Sequence, residues 1–151
     1  MDRVVADQKG NDMSRHGYDD NYEGNLDLYR QAVKRAIEGK RGQAFLREMR
    51  DALDAMPNKR LQADMLADSK TGECCAMGSV AFARGMNVDN IDAEFVPGIG
   101  TLFGIATSLA QEIAYENDEY RIYGKGPPTP EERWQHMRKW VEKNIIAEKV
   151  T

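Results

Sequence analysis

Two adjacent cysteines, Cys74 and Cys75, are the first residues whose type and position could support chemistry. They open the run TGECCAMGSVAFARG at positions 71–85. The residues that follow them have the composition of a helix, so Cys75 would lie where the positive end of the helix dipole stabilises a thiolate. A thiolate nucleophile also needs a base within hydrogen-bond reach. The only histidines are His16, in a polar N-terminal segment, and His136, which helical spacing places on the water-facing side of the last helix.

The same run suits packing better than catalysis, because small residues surround the two thiols. These neighbours are Ala76, Gly78 and Ser79. We therefore predict that Cys75 is buried and unreactive. The alternative is a thiol-centred enzyme or small-ligand site around Cys75, with Asn117 and Asp118 as polar partners. Structural zinc needs four ligands, and adjacent cysteines cannot supply a normal pair of them, so we predict neither a metal nor a cofactor.

A cluster of carboxylates near the end of a predicted helix is the second candidate site. The cluster comprises Glu112, Glu116, Asp118 and Glu119, with Tyr115, Tyr120 and Tyr123 around it. Glu112 and Glu116 lie four residues apart, where like charges destabilise a helix, and Asp118 and Glu119 add charge where the helix dipole disfavours it. Internal ion pairs with Arg121 or with bases of the first two helices are the ordinary interpretation. The alternative, which we predict as the recognition surface, is an acidic corner that binds a basic patch on a partner protein.

Basic residues gather around the first predicted interhelix turn but do not indicate nucleic-acid binding. They are Lys34, Arg35, Lys40, Arg41, Arg47 and Arg50. Acidic residues alternate with them, and the nearby aromatic residue Phe45 lies on the predicted core face, so a solvated, salt-bridged surface is favoured. The glycines at 98, 100 and 104 lack the lysine and hydroxyl of a phosphate-binding loop.

Length and composition favour one soluble domain. The chain has 151 residues, which suits a single hydrophobic core. Its formal net charge is −4 with both signs mixed, which argues against a general electrostatic attraction to nucleic acid or anionic lipid. No apolar run approaches the roughly 20 residues that cross a bilayer, and the polar N-terminus does not resemble a signal peptide. We therefore expect a cytoplasmic protein with reduced cysteines and no membrane partner.

The hydrophobic pattern predicts a mainly α fold of about five helices in one domain, residues 25–151, after a flexible arm, residues 1–24. The first helix begins at Asn25 and ends at Gly39, and the second ends before Pro57.

The remaining elements follow from turn and cap signals. A small β-hairpin near residues 60–75, turning at 69–72, is preferred over an extended helix. We then expect a buried helix at 75–84, a connection at 86–101, and a helix at 102–116. Thr129, followed by Pro130 and Glu132, predicts a capping box that opens the last helix.

Three segments of the chain resemble a pattern in small uncharacterised phage, prophage and bacterial proteins. The segments are CCAMGSV, FGIATSLAQEIAYEND and TPEERWQHMRKWVEKNI. In that group, a core of Cys-Cys-Leu-Gly-Val or Cys-Ala-Leu-Gly-Ala is followed by a helix that ends in an Asn-Asp pair. A final helix then begins with a Thr cap. The resemblance covers about residues 60–146 and implies a shared fold and a phage or prophage setting. It implies no reaction.

These observations together predict a small phage-type accessory protein that acts by binding a protein. A component of host defence or of other host machinery in the host cytoplasm is the expected target class. A virion or assembly component, which would self-associate, is a further alternative to the thiol-centred enzyme.

Overall fold

The computed structural model describes residues 26–147, so the predicted N-terminal arm and Asn25 lie outside the described residues. The described part of the chain contains six helices and almost no strand. The helices are α1 (Leu26–Glu38), α2 (Lys40–Ala55), α3 (Ala76–Ala83), α4 (Val96–Phe103), α5 (Thr107–Glu119) and α6 (Pro130–Asn144). The predicted mainly α fold class is confirmed.

One core joins the six helices. α2 packs against α1, α3 and α6, while α5 packs against α1, α3, α4 and α6. The largest fully buried apolar side chains are Leu46, Met49, Leu53, Leu61, Met77, Leu109, Ile113 and Met137. None of the helices between residues 26 and 147 combines the length and apolar character needed to cross a membrane.

The turn between α1 and α2 is tight because a glycine allows the two backbones to meet. Gly39 lies between the helices, as the sequence predicts, and Gly42 is buried in the first turn of α2. A Cβ atom at Gly42 would lie 1.8 Å from the carbonyl oxygen of Ala36. No side chain larger than hydrogen fits there, so Gly42 fixes the approach of α2 to the end of α1.

The predicted hairpin near residues 60–75 is present as a turn with a single antiparallel bridge, between Ala67 and Cys74. The Asp68 N–H donates to the Glu73 carbonyl at 2.8 Å, and the Cys75 N–H donates to the Leu66 carbonyl at 2.9 Å. The turn lies at the predicted residues 69–72 and carries the chain directly into α3.

The segment from residue 86 to residue 119 differs from the prediction. We expected a connection over 86–101 and one helix over 102–116, but the chain forms α4 and α5, separated by Gly104. Pro97 lies in the first turn of α4, and Gly104 ends it in the left-handed conformation with φ 78°. The helix count is therefore six instead of about five, because a proline start and a glycine stop delimit a short additional helix.

The last helix begins as predicted. The Thr129 side chain accepts a hydrogen bond from the Glu132 N–H, and the Glu132 carboxylate accepts one from the Thr129 N–H. Further along α6, the Trp134 indole N–H donates to the Leu53 carbonyl at 3.2 Å, which joins α6 to α2. A local cap and one long-range contact thus position this helix.

Candidate functional site

Both thiols lie in the core. Cys75 is the N-cap residue of α3 and is 1% exposed, while Cys74 is fully buried. Burial, with a smaller contribution from the neighbouring Cys75, raises the pKa of the Cys74 thiol to about 12. The predicted burial of Cys75 is confirmed, and its lack of reactivity stays a prediction.

Asn117, near the end of α5, caps the N-terminus of α3. The Cys75 side chain makes no cap hydrogen bond, and the Ala76 N–H donates instead to the Asn117 Oδ1 atom at 3.1 Å. The Asn117 Nδ2 atom donates to the Gln62 carbonyl at 3.0 Å and to Asp118 Oδ1 at 2.8 Å. The side chain is fully buried, so it ties the end of α5 to α3 and to the segment before the hairpin turn.

Asp118 extends this buried network. Its Oδ1 atom accepts a hydrogen bond from the Asp64 N–H at 3.0 Å, and the residue is 4% exposed. The buried Arg133 of α6 donates from Nε to the Asn117 carbonyl at 2.7 Å. Burial lowers the pKa of the Arg133 guanidinium, and the nearby Asp118 carboxylate opposes that shift. Asp118 therefore belongs to the interior, and its placement on an exposed recognition surface is corrected.

Cys75, Asn117 and Asp118 are thus close together, as the thiol-centred alternative requires. Their contacts serve packing, however, because the Asn117 amide is occupied by backbone groups and by Asp118. A catalytic thiol must reach its substrate, and Cys75 is closed to solvent. Among residues 26–147, no group of three or more His, Cys, Asp or Glu side chains is arranged to hold a metal ion.

The acidic side chains of α5 contribute to a groove between α1 and α5, with a volume of about 660 Å³. We call it the acidic groove. Its lining residues are Arg30, Val33, Lys34, Ile37, Glu38, Glu112, Tyr115, Glu116 and Asn144. The predicted residues Glu112, Tyr115 and Glu116 therefore share one concave surface, and two basic residues of α1 lie there with them. The expected ion pairing of these carboxylates with bases of α1 stays a prediction.

His136 occupies a different position from the predicted one. Its Nε2 atom lies 2.8 Å from Glu116 Oε1, and its ring stacks on Tyr120 with centroids 3.7 Å apart. The His136 and Glu116 side chains are each 20% exposed. The prediction that His136 faces water is wrong, because the end of α5 packs against that side of α6.

The remaining predicted residues separate around the end of α5. Glu119 and Tyr120 are half-buried, whereas Tyr123 is fully exposed in the loop that the Ile122–Gly126 bridge closes. Arg121 donates to the carbonyl oxygens of Asp118 and Tyr120. It therefore satisfies backbone groups at the helix C-terminus.

Sequence reasoning missed two surfaces. One is a groove of about 590 Å³ between the end of α2, the hairpin turn and α3, whose lining mixes apolar residues such as Met56 and Phe82 with polar ones such as Arg60 and Glu73. The other is the outer face of α4, where Phe95 and Leu102 are exposed. The apolar character of α3 predicted burial on several sides and gave no sign that Phe82 is exposed, and most of α4 was assigned to a connection. The Pro97 start and Gly104 stop are the signals that could have revealed α4.

Three comparisons with known proteins complete the description of the site. No protein-family model, curated protein sequence or solved structure matches the chain. The phage and prophage resemblance therefore stays a prediction.

Proposed function

We propose that this chain acts by binding a protein and that the acidic groove receives a basic segment of the partner. The observation that carries the proposal is the combination of carboxylates with an apolar floor. Glu38, Glu112 and Glu116 line the groove together with Val33 and Ile37. Apolar contact supplies affinity at such a surface, while the carboxylates favour a partner that bears lysine or arginine.

The charge balance of the groove also shapes the proposed partner. Arg30 and Lys34 line the groove beside its three carboxylates, so its formal charge is 2 − 3 = −1. Glu119, the last residue of α5, adds a further carboxylate next to the loop that follows this helix. A partner segment with an excess of basic residues and at least one acidic residue is complementary to this pattern.

Burial of the thiols supports a binding function over the thiol-centred alternative. An enzyme built on Cys75 needs access for its substrate, and that residue is 1% exposed. Glu116 of the acidic groove is held from behind, because its carboxylate contacts His136, whose ring stacks on Tyr120. A side chain that is already held in place lowers the entropic cost of binding.

The biological setting in the proposal is that of a small phage-type accessory protein in the host cytoplasm. Its support is the resemblance of residues 60–146 to phage and prophage proteins. A host-defence protein or another host machine with a basic surface is the corresponding target class. The acidic groove indicates that this surface is basic.

A pair of peptides tests the proposal directly. One fluorescent amphipathic peptide carries lysines on its polar face, and its counterpart carries glutamates at the same positions. We expect the lysine peptide to bind preferentially, with an affinity that falls as salt rises. Replacement of Glu38 and Glu112 by lysine should weaken binding by about tenfold or more.

A matched control distinguishes the groove from the overall charge of the protein. Asp51→Lys makes a charge reversal on the exposed outer side of α2 and should leave peptide binding unchanged. Equal binding of the two peptides would contradict the proposal. So would a loss of binding in Asp51→Lys as large as the loss per residue in the groove variants.

A further inference from the structure

The outer face of α4 is apolar and exposed. Residues 95–111 contain no charged side chain, and α4 lies within them. Val96, Ile99 and Phe103 turn inward and are buried, whereas Phe95 is 60% exposed and Leu102 is 38% exposed. The helix therefore has a packed inner face and an uncovered outer face, a pattern that marks interaction surfaces.

The two exposed side chains are aligned along the helix. Phe95 and Leu102 are seven residues apart, which corresponds to two helical turns and a separation of about 10 Å. The Phe95 ring lies over Gly98, where an added Cβ atom would be only 2.7 Å from it. Gly98 thus lets the ring lie close to the helix backbone, which flattens the apolar face between its two ends.

The two ends of this face carry opposite charges. The exposed residues Asp92 and Glu94 precede α4 at its N-terminal end. At the C-terminal end, the exposed Arg41 donates from Nη1 to the Gly104 carbonyl at 3.4 Å. The face therefore runs from acidic to apolar to basic along the helix axis.

We propose that a second copy of this chain binds to this face, with the two α4 helices antiparallel about a two-fold axis. A two-fold axis perpendicular to the helices places the N-terminal end of one helix opposite the C-terminal end of the other. Phe95 then meets Leu102 of the second copy, and Glu94 meets Arg41 of the second copy. The uncharged centre is self-complementary, because no like charges oppose each other there.

The size of the face sets the strength of the association. Two helical turns bury much less than the roughly 800 Å² per partner of a standard stable interface. We therefore expect a weak dimer whose population depends on protein concentration, as in transient complexes. The charges at both ends of the face favour the antiparallel orientation, because a parallel arrangement would oppose Glu94 to Glu94 and Arg41 to Arg41.

Charge reversal tests both the surface and the orientation. Sedimentation velocity of the full chain over a wide concentration range should show the mass rising from 17.1 kDa toward twice that value. Glu94→Arg and Arg41→Glu should each weaken dimerisation about tenfold, because every reversal acts at two symmetric contacts. The double variant restores opposite charges at both contacts and should dimerise within about threefold of the original chain.

An apolar control completes the experiment. Leu102→Lys should abolish dimerisation, whereas Leu28→Lys, which alters a 64% exposed leucine on α1, should leave it unchanged. Circular dichroism and thermal unfolding confirm that each variant remains folded. If Arg41→Glu does not fold, the two single variants Glu94→Arg and Leu102→Lys still identify the surface.

Three results would overturn the inference. The first is a chain that stays monomeric at every concentration, and the second is a dimer that Leu102→Lys does not affect. The third is a double charge reversal that fails to restore a dimer weakened by both single reversals. Binding of the monomeric chain to vesicles of equal phosphatidylcholine and phosphatidylglycerol, lost in Leu102→Lys, would instead assign the face to a lipid surface.

Discussion

Truncation of Asn117 is the sharpest test of how the interior is held together. The amide accepts a hydrogen bond from the buried Ala76 N–H, and it donates to the partly buried Gln62 carbonyl and to Asp118 Oδ1. Asn117→Ala removes all three contacts at once, while Asp118 Oδ1 keeps its hydrogen bond from the Asp64 N–H. The Ala76 N–H, which is buried at the first residue of α3, loses its acceptor, and the Gln62 carbonyl loses its donor.

The expected destabilisation follows from the groups that lose their partners. The unpaired buried N–H costs about 1 to 3 kcal/mol, and the partly buried carbonyl adds about 1 kcal/mol. The space left by the removed amide adds about 1 kcal/mol. We therefore expect Asn117→Ala to lower the free energy of unfolding by about 3 to 5 kcal/mol, a large fraction of the usual total stability.

Asn117→Asp gives the same test a pH dependence. The carboxylate oxygen that replaces Nδ2 cannot donate a hydrogen bond. It faces both the Gln62 carbonyl and the Asp118 carboxylate, which lies 2.8 Å from the present Nδ2 atom. Burial and like charge would raise the pKa of the new carboxyl above its value of about 3.9 in the unfolded chain. The deficit of this variant relative to the original chain is therefore smallest at acid pH and grows as pH rises from the unfolded pKa through the raised pKa.

Urea unfolding followed by tryptophan fluorescence measures both variants. Asn58→Ala is the matched control, because Asn58 is exposed and should change stability by less than about 0.5 kcal/mol. A loss below about 1 kcal/mol for Asn117→Ala would falsify the view that this amide caps α3. An Asn117→Asp variant with the same deficit at pH 4 and pH 8 would contradict the electrostatic part of the argument.

Three further measurements address the remaining predictions. Under native conditions a thiol reagent should fail to label Cys75, which should react readily in urea; rapid native labelling would restore it as a candidate nucleophile. Thr129→Ala should cost about 1 kcal/mol and Trp134→Ala about 3 to 5, as chemical denaturation would measure; a nearly neutral Trp134→Ala would mean that α6 is not anchored there. Glu116→Gln combined with Glu119→Gln should keep the fold and weaken binding of the lysine peptide in a salt-dependent way; normal binding with easier unfolding would assign these carboxylates to internal contacts.

The sequence alone was sufficient wherever a structure depends on near neighbours. The capping box at Thr129 joins residues three apart, Gly39 marks the junction of α1 and α2, and Pro57 follows the end of α2 because its ring cannot continue a helix. The small residues after Cys75 predicted a buried helix, and that helix is present. These predictions succeeded because their causes act within one turn of the chain.

The α4 helix shows where local reasoning was incomplete. Its limits, Pro97 and Gly104, are ordinary helix start and stop signals, but the segment 86–101 was predicted to be a connection, and two glycines lie inside the helix. The helix is stabilised by burial of Val96, Ile99 and Phe103 against the core. Tertiary packing therefore outweighed the low helix propensity of glycine.

The candidate site depended most strongly on tertiary structure. Sequence spacing identified the like charges of Glu112 and Glu116 and placed His136 correctly within its own helix, but it could not show that α5 packs against that side of α6. Asn117 similarly suited a helix end, whereas its bond to the Ala76 N–H spans 41 residues. The sequence determined which groups needed partners. Only the packing of the helices decided which partners they have, because many arrangements of the same amphipathic helices bury an equivalent apolar area.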